Sequence, residues 1–142
     1  MVDDHLLLQV LLGDEPADLR PPGARIFTTG LWYHRLCRAV AHGAVSGAMT
    51  RLLGRAAPAV AAAAVRDVTG LPDHVGLLSL RELSWPMAGL LAEGAGLNLL
   101  SLEALAAAVR LGAELCLAPA DDNRPLLRAA TTRRVPTRIV AA

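Results

Sequence analysis

Apolar positions recur along the chain both at helical spacing and in short continuous runs, and these patterns predict helices alternating with strands. The segment over 30–42 (GLWYHRLCRAVAH) has helical spacing, and the β-branched run IFTT over 26–29 predicts a strand. The same criteria give further helices over 5–13, 44–53, 58–67 and 84–93, and a strand over 75–80. The chain is therefore predicted to be an α/β protein.

The segment over 99–140 continues this alternation and predicts helix, buried strand, acidic turn, helix and strand in turn. Ser101 is a suitable N-cap for its first helix, and Gly112 stands where a left-handed residue ends a helix. The buried strand ELCLA then leads to Asp121 and Asp122. Because parallel sheets carry their sites at the carboxyl ends of strands, these two acids are well placed for chemistry.

Strands that alternate with helices indicate a mainly parallel sheet, covered on both faces by right-handed crossovers. At 142 residues the chain has the size of one domain, and we expect a single domain over 1–142. Hydrophobic residues make up 54% of the sequence and aromatic residues only 3%, so leucine, alanine and valine must form the core.

The net charge of +1 gives no general attraction to nucleic acid or to a membrane surface. The basic residues near the C-terminus nevertheless all follow the last acid, Asp122. They are Arg124, Arg128, Arg133, Arg134 and Arg138. This basic end predicts either a phosphate-binding surface or a solvated helix face, and the arginine spacing favours the solvated face.

Cys37 and Cys116 have no second cysteine or paired histidines nearby, which is typical of small buried residues in a reducing compartment. The longest uncharged apolar run, 56–65, is about half as long as a membrane span. The chain opens with Asp3 and Asp4 rather than a positive signal region. We expect a soluble, cytoplasmic protein with no membrane partner, whose first strand begins at the first residue or further upstream.

Five acids fall at predicted strand exits or beside them. Asp3 and Asp4 follow the first strand, Asp121 and Asp122 follow the fourth, and Glu103 lies in the helix before the fourth strand. If the first and fourth strands are neighbours where the strand order reverses, these carboxylates converge in one crevice. Their mutual repulsion is relieved by a hard divalent cation, Mg²⁺ or Mn²⁺, whose bound water can attack a phosphodiester.

Each acid also has a structural interpretation. Glu103 near the start of its own helix is favoured by the helix dipole whatever its function. Asp121 is a plausible N-cap for the last helix and Asp122 a turn residue, while Asp3 or Asp4 can cap the first helix. The joint placement of the acids at strand exits favours the functional interpretation.

Two segments resemble members of the PIN-domain family. VDDHLLLQVLL resembles the opening of these proteins, where an aspartate ends the first strand and a leucine-rich helix follows. LLSLEALAAAVRLGAELCLAPADDNRPLLRAA resembles their closing half, where an Asp-Ala pair begins an alanine-rich helix that leads to a strand, a Thr-x-Asp turn and another helix. The likeness extends over essentially the whole chain.

The resemblance implies a three-layer α/β/α sandwich with four or five mainly parallel strands, a Mg²⁺ or Mn²⁺ site and ribonuclease activity on RNA. It also implies a toxin neutralised by a small antitoxin protein. Its catalytic residues correspond to Asp3, Glu103 and Asp121, with Asp4 and Asp122 as further candidate metal ligands. Because the protein is rich in leucine and alanine, we expect an apolar surface patch that binds a second copy of the chain or an antitoxin helix.

Three positions depart from the family pattern. The helix after the second strand lacks the usual glutamate and reads Leu31 to Arg35, with His34 a poor substitute as a ligand for Mg²⁺. Glu103 stands where the family has aspartate, and Pro119 replaces the threonine before Asp121. The alternative is therefore a catalytically degenerate PIN-like module that acts by binding protein or nucleic acid.

Other functional classes find little support. The sequence contains neither G-x-G-x-x-G nor a phosphate-binding G-x-x-x-x-G-K-[ST] loop, and no serine lies in a nucleophile-elbow context. Trp32, Tyr33 and Trp85 are expected to fill the core rather than to line a partner groove.

Overall fold

The computed structural model describes residues 1–41, 47–121 and 123–141, with Asp121 described by its backbone alone. The helices within these ranges are α1 (Asp4–Leu11), α2 (Gly30–Ala41), α3 (Ala48–Arg55), α4 (Pro58–Thr69), α5 (Leu80–Ala92), α6 (Leu99–Leu111) and α7 (Arg124–Thr132). The strands are β1 (Ile26–Thr29), β2 (Val75–Leu78), β3 (Leu115–Leu117) and β4 (Thr137–Ile139), and a short 3-10 helix covers Pro119–Asp121. The predicted helix over 44–53 falls partly outside the described residues.

The strands form two parallel pairs, β1 with β2 and β3 with β4. The first residues of the chain lie between the pairs. The N–H of Val2 donates to the carbonyl of Phe27 at 2.9 Å, and the N–H of Cys116 donates to the carbonyl of Met1 at 2.8 Å. A mixed α/β fold with short parallel strands is therefore confirmed.

Alternate residues of β3 belong to two different hydrophobic clusters, because successive side chains on a strand point to opposite faces. Leu115 and Leu117 pack in a cluster with residues of α5, α6 and α7. Cys116 packs in a second cluster, with the leucines of α1 and with Ala64 and Val68 of α4. The expected leucine- and alanine-rich core is thus divided between the two faces of the strands.

Helix α6 has eight consecutive buried residues, over 101–108. Its N-cap is Asn98, whose side-chain oxygen accepts the N–H of Ser101 at 2.9 Å, so the prediction of Ser101 as the cap is wrong. Asparagine caps as well as serine does, and it moves the helix start back to Leu99. Gly112 ends the helix with φ 58, as predicted.

Helix α5 begins earlier than the sequence pattern indicates. Ser79 caps it through a capping box with Glu82, so β2 ends at Leu78 and the predicted start at Ser84 is wrong. Pro86 misled the prediction, because proline is usual in a first helical turn but here lies inside the helix. The hydroxyl of Ser84 donates to the carbonyl of Leu80 at 2.7 Å.

The three aromatic residues expected in the core have different environments. Trp32 is buried, as predicted, and the half-buried Tyr33 donates its hydroxyl to the carbonyl of Val68 at 2.6 Å. Trp85 is 88% exposed, so its assignment to the core is wrong, since α5 turns this position towards solvent. Within the described residues, no helix has the length and apolar character needed to cross a bilayer.

Candidate functional site at the carboxyl ends of the strands

Residues 1–3 form the N-terminal segment. The residues directly after this segment, after β1 and after β3 meet at one edge of the parallel strands. Val2 pairs with Cys116 in parallel orientation, so the segment before α1 and the strand β3 are neighbours. From the N-terminal segment the chain proceeds to β1 and β2 on one side, whereas β3 and β4 lie on the other. The strand order therefore reverses here, where sites are usual in open α/β sheets.

Asp3 lies at this reversal and is fully buried. Its Oδ1 accepts the N–H of Leu6 at 2.9 Å, which caps α1, and its Oδ2 accepts the N–H of Ala118 at 2.6 Å. The two oxygens thus join the start of α1 to the residue after β3. The sequence interpretation of Asp3 as a helix cap matches this geometry, and its proposed role as a metal ligand would have to compete with two backbone donors.

Asp4, in the first turn of α1, is also fully buried and faces side chains instead of backbone. Its Oδ2 lies 2.9 Å from Nε of Arg35 on α2, and its Oδ1 lies 3.5 Å from Nδ1 of His5. The guanidinium is always protonated in proteins, and the 32%-exposed side chain of Arg35 still reaches solvent. A permanent cation therefore already stands beside this carboxylate.

Glu103 is fully buried in the second turn of α6. Its Oε2 accepts the N–H of Leu31 at 2.9 Å, in the first turn of α2. The prediction that its own helix dipole holds it is wrong, because α6 starts at Leu99, four residues earlier; the helix N-terminus that it satisfies belongs to α2. Among the described residues Oε1 has no hydrogen-bond partner.

The acids after β3 are only partly placed. The backbone of Asp121 ends the 3-10 helix, its side chain is outside the description, and Asp122 lies outside the described residues. The N-cap of α7 is Asn123, whose Oδ1 accepts the N–H of Leu126 at 3.1 Å, so the interpretation of Asp121 as that cap is wrong. Nδ2 of Asn123 donates to the hydroxyl of Ser101 at 2.7 Å.

The ligand atoms of the described residues are close enough together for a hard divalent cation, but the groups already around them oppose its binding. One ligand atom from each of Asp3, Asp4 and His5 lies within 4.8 Å of the others, a spacing that a metal ion could bridge. Mg²⁺ requires near-octahedral oxygen donors and tolerates little distortion. Asp3 is held by backbone N–H groups, and the guanidinium of Arg35 lies beside Asp4, although neither carboxylate oxygen of Asp4 has a hydrogen-bond partner among the described residues. A metal ion would therefore have to displace the donors of Asp3 and the guanidinium, so the residues as arranged do not fit it.

Sequence reasoning missed Arg35, although it considered the adjacent His34 as a substitute for the missing glutamate. Its position in the sequence could have indicated its role. Arg35 lies in the helix that follows β1, one turn after the N-terminus to which Glu103 binds. An arginine at this point reverses the sign of the expected charge. The site accordingly has a mixed set of charges in place of an all-acidic one.

A second feature lies beside this edge. Two adjoining cavities of about 310 and 330 Å³ share the lining residues His5 and Ala48. We call them together the arginine groove, because four arginines line it. They are Arg35, Arg38, Arg51 and Arg55.

The sequence analysis placed its basic surface elsewhere, at the C-terminal end. Two of those arginines are engaged in ion pairs: Nη2 of Arg138 lies 2.8 Å from Oε2 of Glu114, and Nη2 of Arg133 lies 3.1 Å from Oε2 of Glu93. The arginines of the groove escaped notice because they come from two helices, and their proximity depends on how α2 and α3 pack.

Comparison with known proteins gives no relative for this chain. No family model matches it, and neither the curated proteins nor the solved structures contain a significant match. The site must therefore be interpreted from its own geometry.

Proposed function

We propose that this protein is a catalytically degenerate PIN-like module that acts by binding a macromolecule and not by metal-dependent cleavage of RNA. The observation that carries the proposal is the 2.9 Å contact between Nε of Arg35 and Oδ2 of the buried Asp4. In this interpretation the guanidinium takes over the charge compensation that Mg²⁺ or Mn²⁺ would provide in an active nuclease.

The PIN-like part of the proposal is a three-layer α/β/α sandwich. It is supported by the hydrogen bonds of the N-terminal residues to Phe27 on one side and to Cys116 on the other, which join the two strand pairs. The separate clusters around Leu115 and Cys116 support helical layers on both faces. Together they are consistent with one sheet whose central strand comes from residues 1–3.

The loss of metal binding follows from electrostatics. A divalent cation placed next to Asp4 would be repelled by the guanidinium of Arg35, and displacing the guanidinium would cost an ion pair whose carboxylate is fully buried. Breaking a buried pair by removing one partner typically costs about 3–5 kcal/mol, somewhat less where one partner reaches solvent as here. The ion pair therefore competes directly with the metal.

Substitution of Arg35 tests the proposal. We expect millimolar Mg²⁺ or Mn²⁺ to leave the melting temperature of the wild-type protein unchanged, because Arg35 already compensates the carboxylate of Asp4. Arg35→Gln removes the internal cation, and we expect this variant to be less stable but to gain stability when Mn²⁺ is added. The measurements are thermal unfolding and calorimetric titration with the metal.

Arg38→Gln is the matched control, since Arg38 lies one turn further along α2 and is exposed. It should behave as the wild type in both measurements. The proposal fails if the wild-type protein itself binds Mn²⁺ with micromolar affinity and Asp4→Asn abolishes that binding.

A metal-dependent ribonuclease remains the second candidate, because Asp3, Asp4 and His5 offer ligand atoms within 4.8 Å of one another. In this alternative the acids of the strand edge hold Mn²⁺ or Mg²⁺, and the protein is a toxin restrained by an antitoxin. Incubation of the purified protein with RNA and Mn²⁺, beside Asp4→Asn and Asp121→Asn, distinguishes the two candidates. Cleavage by the wild type that both substitutions abolish would establish the nuclease.

A further inference from the structure

The arginine groove has an unusual charge for a protein of net charge +1. Arg38, Arg51 and Arg55 are exposed, and none of them forms an ion pair with an acid of the described residues. The described lining residues of both cavities include no Asp or Glu. Arg35 is paired with Asp4, but Arg38, Arg51 and Arg55 present positive charge that no acid of the described residues compensates, which favours an anionic ligand.

Part of the groove lining is apolar. It includes Met49 and Leu52 of α3, together with Ala118, Pro119 and Val140. Met49 and Leu52 are only half-buried, and no residue of α3 is fully buried although this helix separates apolar from charged positions strongly. Part of the apolar face of α3 thus remains uncovered along the groove.

The lining also disfavours single-stranded nucleic acid. Proteins that hold single strands stack the bases on aromatic side chains. Neither cavity has a tryptophan, tyrosine or phenylalanine among its described lining residues. Aliphatic side chains between arginines instead match a peptide that carries leucine or valine on one side and carboxylates on the other.

We propose that the arginine groove binds an acidic amphipathic segment of a partner protein, with the apolar side of the segment on Met49 and Leu52 and its carboxylates facing Arg38, Arg51 and Arg55. This is the helix-in-groove mode, in which apolar anchors one helical turn apart enter the groove. The proposal rests on the proposed function, because it supplies the macromolecule that a module without cleavage activity would bind. Charge complementarity around an apolar strip is what selects this partner class.

The groove geometry fits such a segment in two further respects. Arg51 and Arg55 are four residues apart on α3, so they lie on one face of that helix and can meet acids spaced by one turn on a facing helix. Arg38 is contributed to the groove by the other helix, α2. Exposed ion pairs of this kind are individually weak and are weakened further by salt, so the apolar contacts must supply most of the affinity.

A phage-displayed random peptide library tests this proposal with the full-length protein. We expect the wild type to enrich peptides with apolar residues at helical spacing and Asp or Glu between them. A triple variant, Arg38→Glu, Arg51→Glu and Arg55→Glu, should lose these peptides. The enriched sequences, synthesised with a fluorescent label, should bind the triple variant at least about tenfold more weakly than the wild type.

The control reverses three exposed arginines outside the groove, Arg66, Arg81 and Arg110, and so matches the change in net charge. This control should bind the peptides as the wild type does, and thermal unfolding should show that both triple variants are folded. A labelled oligouridine strand forms the second arm. The proposal is overturned if no acidic peptides are enriched, if the control loses binding equally, or if the oligonucleotide binds through the groove arginines and the peptides do not.

These results are distinguishable from failure of the proposed function. Metal binding and RNA cleavage by the wild type would refute the degenerate module whatever the peptide selection gives. Conversely, if the protein binds neither metal nor acidic peptides, the proposal of a degenerate site stands and only the proposed partner is refuted.

Discussion

Helices α3 and α6 show two different uses of an apolar helix face in the same molecule. In α6, eight consecutive residues are buried, and Glu103 reaches from it to satisfy the N-terminus of α2. In α3, no residue is fully buried, and Met49 and Leu52 line an open groove. The first helix has its partners inside the molecule, whereas the second has an apolar side that the described residues leave partly uncovered.

This difference indicates that α6 contributes mainly to stability and that α3 is suited to binding. Residues of α6 contribute to the free energy of unfolding through buried area, since burial of apolar surface is the main favourable contribution to folding. Residues of α3 bury less and should contribute less to stability, so they are available for a partner. The comparison can be tested by substitution in both helices.

The largest expected effect is in the core. Leu105→Ala in α6 removes a fully buried side chain and should lower the free energy of unfolding by about 3 kcal/mol. The matched change Leu52→Ala in α3 should lower it by about 1 kcal/mol or less, because Leu52 is only half-buried. Denaturant unfolding of both variants measures the difference, and equal losses would contradict the division between the two helices.

An intermediate effect is expected at Glu103, which couples α6 to α2. Glu103→Ala leaves the N–H of Leu31 without its acceptor and should cost about 1–3 kcal/mol, whereas Glu103→Gln keeps an oxygen for that N–H and should cost less. Thermal unfolding of the two variants without added metal provides the comparison. If Glu103→Ala is as stable as the wild type, the structural role of this carboxylate is wrong.

The smallest effect concerns an arginine outside the groove that has an acidic partner. The side-chain hydrogen bond from Arg138 lowers the pKa of Glu114. A lowered acid pKa adds stability that is present above the pKa of the unfolded chain, about 4.3, and is lost as the pH falls through the lower folded value. Because Glu114 is 40% exposed, solvent screening keeps this contribution below about 1 kcal/mol.

Arg138→Gln should therefore flatten the dependence of stability on pH below about 5, where the pair would otherwise be lost. Arg51→Gln in the groove is the matched control, and it should leave the acid limb of the curve unchanged because no described acid pairs with Arg51. Unfolding free energies measured from neutral to acidic pH test both variants. A change in the acid limb for Arg51→Gln would show that the groove has an acidic partner after all.

The sequence predicted those elements that are specified locally. Helical spacing located α2, and Gly112 ended α6 where a left-handed residue was expected. The errors in the helix starts arose because several neighbouring residues can serve as the N-cap. Asn98 and Ser79 are each a better-placed cap than the serine chosen, and the spacing of apolar residues does not rank neighbouring caps.

The surroundings of the candidate acids were harder to predict than the proximity of two strands. The condition that the first strand lies beside the strand before Asp121 is met, because Val2 pairs with Cys116 and Asp3 accepts the N–H of Ala118. The contacts of Asp4 with Arg35 and of Glu103 with Leu31 depend on packing between elements distant in the sequence, which no local pattern encodes. The sequence therefore indicated which two segments could meet but not the partners of Asp4 and Glu103.

The pairing of the first residues has a consequence for how the chain assembles during its synthesis. Asp3 accepts a hydrogen bond from Ala118, 115 residues further along. The N-terminal residues therefore cannot pair with β3 until most of the polypeptide has left the ribosome. Until then the leucines of α1 stay exposed to solvent. Such long-range closure slows folding and exposes early segments to aggregation, so this protein should depend on chaperones more than a helical bundle of equal length.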